Sequence, residues 1–155
     1  MRNKEGKLFA LLILSAVLSA KEQSKVTMPD FELPSTSGKI YSSDDFEKKK
    51  LLAIVFLSNH CRVSQIFQNH LMQVKKLFAQ ESVSIIAVSP NYEDAILPDE
   101  LAYSDLGDSL EEMKKRAYRQ KYNFPYLYDG KDQNLTKKIG VKITPTVFLY
   151  DNKRN

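Results

Sequence analysis

A chain of 155 residues, 43% of them apolar, suits one domain with a sizeable core and is too apolar for a disordered segment. Its formal charge is +4, from 23 basic and 19 acidic side chains; without residues 1–20, which hold three of the first and one of the second, it is +2. Near-balance, with the two signs interspersed, argues against a nucleic-acid or anionic-membrane partner.

The chain opens "MRNKEGKLFALLILSAVLSA": basic residues, an apolar run from Leu8 to Leu18, then small Ser19 and Ala20. This is the layout of a secretory signal peptide over residues 1–20, set against the alternative of an uncleaved N-terminal anchor. The run is short of the roughly 20 residues of a membrane span, and no second apolar span follows. The expectation is an exported protein, periplasmic or extracellular, with no stable membrane domain after signal removal. Residues 21–27 read as a flexible polar lead-in, and 28–155 as the folded domain.

Within that domain, Phe31–Leu33 and Lys39–Tyr41 read as short strands joined by a Ser-Thr-Ser-Gly turn. "LLAIVFL" (51–57) is continuously apolar and β-branched at its centre, as in a strand buried on both faces. From Val63 to Phe78 the period becomes helical: Val63, Ile66, Phe67, Leu71, Val74, Leu77 and Phe78 recur at spacings of three and four. "VSIIAVS" (83–89) is the next buried strand, followed by a long turn-rich loop over 90–107. Ser109 and Glu112 have capping-box spacing for a helix whose inner face holds Leu110, Met113 and Ala117. "FPYLYD" (124–129) is a short extended piece, "DQNLTKKIG" a short helix stopped by Gly140, and "TVFLYD" (146–151) the last strand. Alternating strands and helices predict an α/β sheet with parallel pairs. The chain ends at "DNKRN" with no returning strand. That leaves an apolar edge strand, so the sequence reads as a fragment or the front of a longer protein.

The single cysteine, Cys61, falls between strand 51–57 and the helix. One cysteine makes no internal disulfide, so in an oxidising compartment its thiol is reactive, partnered to another molecule or hidden. A thiol at a helix N-terminus faces unpaired N–H groups and the positive end of the helix dipole, both of which favour the nucleophilic thiolate. His60 and Arg62 flank the sulfur as cationic groups that push the same way. The alternative is a small hydrophobe packed under the helix. Ser64 stands where a second thiol would complete Cys-x-x-Cys; it donates a hydrogen bond but cannot resolve a mixed disulfide. Chemistry would therefore stop at a mixed disulfide or sulfenic acid until an external thiol arrives. Pro145, in "ITPT" before the last strand, marks a special turn.

These residues resemble the thioredoxin-like superfamily, and within it the redoxin branch related to alkyl hydroperoxide reductase and thiol-specific antioxidant proteins. The likeness runs over roughly residues 26–154, through "PDFELPSTSGKIYSSDDF", "IVFLSNHC", "IIAVSPN", "DSLEEMKKRA", "FPYLYD" and "GVKITPTVFLYD". It implies a thioredoxin-like fold, a mixed central sheet flanked by helices, truncated at the C-terminus. Cys61 then matches the attacking cysteine, Ser64 the resolving position and Pro145 the cis-proline beside the sulfur. Ser58, three residues before Cys61, matches the Thr or Ser of peroxiredoxins, whereas Ile54 and Arg62 stand where relatives carry proline. Thr144, Pro145 and Arg62 are the residues expected to meet the substrate.

No metal or other cofactor is expected: His60, Cys61 and His70 form no paired-ligand signature. His70 falls on the apolar side of its helix, as a core or boundary histidine. The acidic run Asp94–Asp108 lacks calcium-loop spacing and reads as a solvated loop. Two functions stay open. One is an exported thiol oxidoreductase acting on a protein disulfide or a peroxide with an external thiol reductant. The other is a degenerate thioredoxin-fold module that binds partner polypeptides without turnover.

Overall fold

The computed structural model describes residues 27–78, 82–95 and 107–155. The signal-peptide reading of residues 1–20 and most of the acidic loop fall outside them. Glu32–Pro34 (β1) and Ile40–Ser42 (β2) pair antiparallel as a small hairpin. The main sheet has four strands: Leu51–Phe56 (β3), Val83–Ser89 (β4), Tyr126–Tyr128 (β5) and Thr146–Tyr150 (β6), in the order β5-β4-β3-β6. β3 runs parallel to β4 and β4 to β5, while β6 is antiparallel to β3. The helices are Arg62–Leu77 (α1), Leu110–Gln120 (α2) and Asn134–Ile139 (α3). This is the mixed sheet with flanking helices that the sequence predicts.

Alternation along β3 explains its continuous apolar run. Leu52, Ile54 and Phe56 face one core with Leu33, Ile86, Val88, Leu127 and Leu135, on the side covered by the hairpin and α3. Val55 and Leu57 face a second core with Leu71, Ile85, Met113 and Tyr126, on the side of α1 and α2. Ser109 caps α2 by accepting the Glu112 N–H at 3.3 Å, as its spacing predicts. Gly140 ends α3 at φ +83°, a left-handed conformation that glycine adopts without a Cβ clash.

Helix α1 departs from its hydrophobic period. The side turned inward carries Ser64, Gln68 and Leu71, whereas Val63, Ile66, Leu77 and Phe78 are exposed and His70 lies at the surface. The cause is a polar contact to α2. Gln68 Oε1 accepts from Arg116 Nε and Nη2 at 3.3 and 3.1 Å and from the Tyr122 hydroxyl, so an amide fills the place where period alone puts an apolar residue. β6 shows the matching feature. Val147 and Leu149 lie opposite Val55 and Ala53, on the α1 side of the sheet, and are 49% and 62% exposed. The edge strand is thus apolar, as the sequence predicts.

Candidate active site

Three loop ends converge where β3 leaves the sheet. The first is the turn 57–61 into α1, with Cys61 as the residue that precedes the helix, φ −73° and ψ 113°. The second is the loop before β6, where the Thr144-Pro145 peptide is cis. The third is Gly107–Asp108, just ahead of α2. Carboxyl ends of parallel strands are the usual place for a site in such a sheet, because the loops there fan apart.

The structure brings Ser58, Cys61, Ser64 and Thr144 together. The Cys61 thiol donates to the Thr144 carbonyl oxygen at 3.4 Å. The Ser58 and Thr144 hydroxyls are 2.7 Å apart. Ser64 Oγ accepts the Ser58 N–H at 3.3 Å, which leaves its own proton for the sulfur. Burial of the sulfur works against ionisation. The N–H and hydroxyl of Ser64, Thr144 and the Val63 N–H outweigh it and hold the thiol below its ordinary range. The Thr144 carbonyl favours the neutral thiol, the Thr144 hydroxyl the thiolate; the second bond applies once the proton has gone, with Ser58 Oγ then donating to Thr144 Oγ1.

The chief lowering groups are therefore helix-terminal N–H groups and hydroxyls rather than the flanking cations that the sequence suggests. Arg62 is exposed at the start of α1, and Pro145 is half-buried. His60 Nδ1 meets a carboxylate that sequence reasoning missed. Asp108 is fully buried, not part of a solvated loop, and accepts from His60 Nδ1, from the Asn59 N–H and from Asn91 Nδ2. Asn59, also buried, donates through Nδ2 to the Gly107 carbonyl at 2.8 Å and accepts from the Tyr126 hydroxyl at 3.3 Å. Burial, then the Asp108 charge, push the Tyr126 phenol well above its usual value, so it serves as a hydrogen-bond donor.

Beside these residues lies a cleft of about 390 Å³, lined by Ser58, His60, Asn91, Gln133, Lys142 and Thr144 among others. A larger one, about 590 Å³, lies between β1 and α3 and contains none of the thiol-site residues. Among the described residues no group of three or more His, Cys, Asp or Glu is placed to hold a metal ion.

The profile of the AhpC/TSA family matches residues 25–155. The chain belongs to the AhpC/TSA family. No curated protein matches it significantly. Among solved structures it is similar to a hypothetical protein of Sinorhizobium meliloti 1021, with 27% identity and a TM-score of 0.72, over 84% of this chain and 66% of that one. An uncharacterized conserved protein of Geobacillus kaustophilus shows 28% identity and a TM-score of 0.72, over 83% and 64%. The chain thus spans about two thirds of the length of these two proteins. The thioredoxin domain of a Bacteroides vulgatus thiol-disulfide oxidoreductase shares the fold at 15% identity, with a TM-score of 0.66 over 86% and 84%.

Proposed function

We propose that this AhpC/TSA-family protein is an exported thiol oxidoreductase whose nucleophile is Cys61. One observation carries the reading: the sulfur sits at the start of α1, in a setting of N–H and hydroxyl donors that lowers its pKa. The segment "KLFALLILSAVLSA" supports export.

With a disulfide substrate, the Cys61 thiolate attacks one sulfur, the S–S bond breaks, and the departing thiolate takes a proton. One external thiolate then attacks the Cys61 sulfur of the mixed disulfide and the substrate leaves as its reduced thiol; a second attacks the external sulfur now on Cys61, leaves with it as a disulfide, and returns the Cys61 thiolate. With a peroxide, the thiolate takes one oxygen as the O–O bond breaks, an alcohol or water leaves, and Cys61 becomes a sulfenic acid. One external thiol converts that to a mixed disulfide and water, and a second releases Cys61. In both routes Ser64 is a donor to the sulfur, Ser58 orients Thr144, and the loop of Thr144 and Pro145 walls the substrate side. Arg62, exposed beside it, meets the substrate.

The test is turnover of a model protein disulfide and of hydrogen peroxide with glutathione as reductant, in the wild type and in Cys61→Ser. Cys61-dependent turnover of either substrate is the expected result. Ser64 in the second thiol's place favours one other reading, a binding module without turnover. A thiol no more reactive than free cysteine, with no turnover, would establish that reading instead.

A further inference from the structure

We propose that the cleft bordered by Ser58, Thr144 and Lys142 is the seat of a carboxylate on the external thiol that regenerates Cys61, so that the reductant is a small anionic thiol. This names the reductant class of the thiol oxidoreductase proposed above and rests on it.

Thr144 is shared by the sulfur and the cleft. Its carbonyl oxygen lies 3.4 Å from the Cys61 sulfur, and it lines the cleft together with Ser58, whose hydroxyl is 2.7 Å from its own. A thiol that attacks Cys61 over Thr144 carries its substituent toward Lys142, two residues back along the same loop. Lys142 is exposed and forms no ion pair among the described residues. Thr136, 8% exposed, lines the same cleft, and among the described residues its buried hydroxyl has no hydrogen-bond partner. The backbone donors beside it are already used, since the Leu135 and Thr136 N–H groups go to the Asp129 carboxylate at 3.0 and 2.7 Å. What α3 adds to the cleft is therefore a side-chain hydroxyl.

A buried hydroxyl without an acceptor is unfavourable, and a carboxylate oxygen is a strong acceptor for it. An ammonium and a hydroxyl around one space select an anion over a neutral or cationic group. The described residues that line the cleft include no carboxylate. Size narrows the class further. About 390 Å³ is near the small end of the roughly 300–1,000 Å³ of ligand sites, which suits a small thiol better than a stretch of polypeptide.

The chemistry is that of the mixed disulfide. The anionic thiolate attacks the Cys61 sulfur, the substrate sulfur leaves with the electron pair of the broken S–S bond, and the reductant is joined to Cys61 with its carboxylate in the cleft. A second thiolate attacks the reductant sulfur, departs with it as a symmetric disulfide, and leaves the electron pair on Cys61.

For the test, Cys61 of the full chain is converted to its pyridyl mixed disulfide with dithiodipyridine. Release of the pyridinethione is then timed with mercaptosuccinate, a dicarboxylate, and with thioglycerol, which is neutral and of similar size. The variants are Lys142→Ala, Lys142→Arg and, as a control for net charge, Lys76→Ala at the far end of α1. The ratio of the mercaptosuccinate rate to the thioglycerol rate should fall about threefold in Lys142→Ala, as for loss of one exposed ion pair. It should be kept in Lys142→Arg and in Lys76→Ala, and in the wild type it should fall as salt is raised. Succinate, the dianion without the thiol, should shift the amide resonances of Gln133, Thr136 and Lys142 in the ¹⁵N-labelled wild type.

A ratio unchanged in Lys142→Ala, or lowered as much in Lys76→Ala, overturns the proposal. So does succinate that shifts Lys76 as much as Lys142. Lys142 is exposed, so its variants leave the core intact. A Cys61 that takes up no dithiodipyridine defeats the thiol-oxidoreductase reading and the reductant with it, whereas a reactive Cys61 whose rates ignore charge defeats the reductant class alone.

Discussion

The sulfur of Cys61 lies 3.4 Å from the carbonyl oxygen of Thr144, across 83 residues of chain. The contact joins the start of α1 to the cis-proline loop, so the thiol's surroundings depend on two elements that meet only in the folded state. Alkylation of Cys61 should therefore show a midpoint below the ordinary cysteine value of 9.0 in the native protein, and return to it in urea. Stopped-flow iodoacetamide kinetics against pH, native and denatured, check this. Equal midpoints would mean that the fold does nothing for the thiolate.

Ser64→Ala tests the nearest hydroxyl. It removes a donor to the sulfur and strips the buried Ser58 N–H of its acceptor. The alkylation midpoint should rise, and stability should drop by about 1–3 kcal/mol, the penalty of an unsatisfied buried donor. Urea denaturation gives the second number. Ser64→Cys should give the complementary result. A thiol three residues on can attack a mixed disulfide at Cys61, so oxidised protein should lose two mass units and the small-molecule adduct should disappear.

The strands and helices were legible because their signals are local. The β3 run, the Ser109 cap and the Gly140 stop each lie within a few residues of what they specify. The thiol's position was legible for the same reason, since the junction of β3 and α1 shows in the change of period at Cys61. Asp108 was not, because an acid two residues ahead of a helix looks like any solvated charge; only the folded chain puts it against Asn59 and His60, 49 and 48 residues back. The inner side of α1 was hidden in the same way. Gln68 is polar by every sequence criterion, yet it is 4% exposed because Arg116 and Tyr122 satisfy it.

That helix supplies a contrast between sides. Leu71 is 6% exposed and packs in the second core, whereas Leu77 is 79% exposed. Leu71→Ala should cost about 2–5 kcal/mol, and Leu77→Lys should stay within about 0.5 kcal/mol of wild type. Paired denaturation curves distinguish the two. A large loss at Leu77 would show that the outer side of α1 is covered in solution.

Gln68→Leu should destabilise although it adds apolar surface to an apolar side. The amide oxygen is the shared acceptor of Arg116 and Tyr122, and Arg116 is only 6% exposed. Removing the acceptor of a buried guanidinium costs about 3–5 kcal/mol, more than the gain from one buried leucine of about 1.5–3 kcal/mol. Gln68→Glu keeps the acceptor and adds a countercharge, so it should recover much of the loss. If Gln68→Leu is the more stable protein, Arg116 reaches solvent or another acceptor.

The lowered Cys61 pKa also ties stability to pH, with a definite sign. The unfolded thiol titrates near its ordinary value of 9.0 and the folded thiol below it. Between those two values the unfolded state binds more protons, so stability from this group rises with pH. It is complete above 9.0 and lost as pH falls through the folded value. The sulfur is partly exposed, so the contribution is small and is best read as a difference. Wild type and Cys61→Ser, melted side by side from neutral pH to above 9, should diverge in favour of the wild type as pH rises. Parallel curves would mean that the thiol has the same affinity for its proton in the folded and unfolded chains, and the case for Cys61 as an activated nucleophile would go with them.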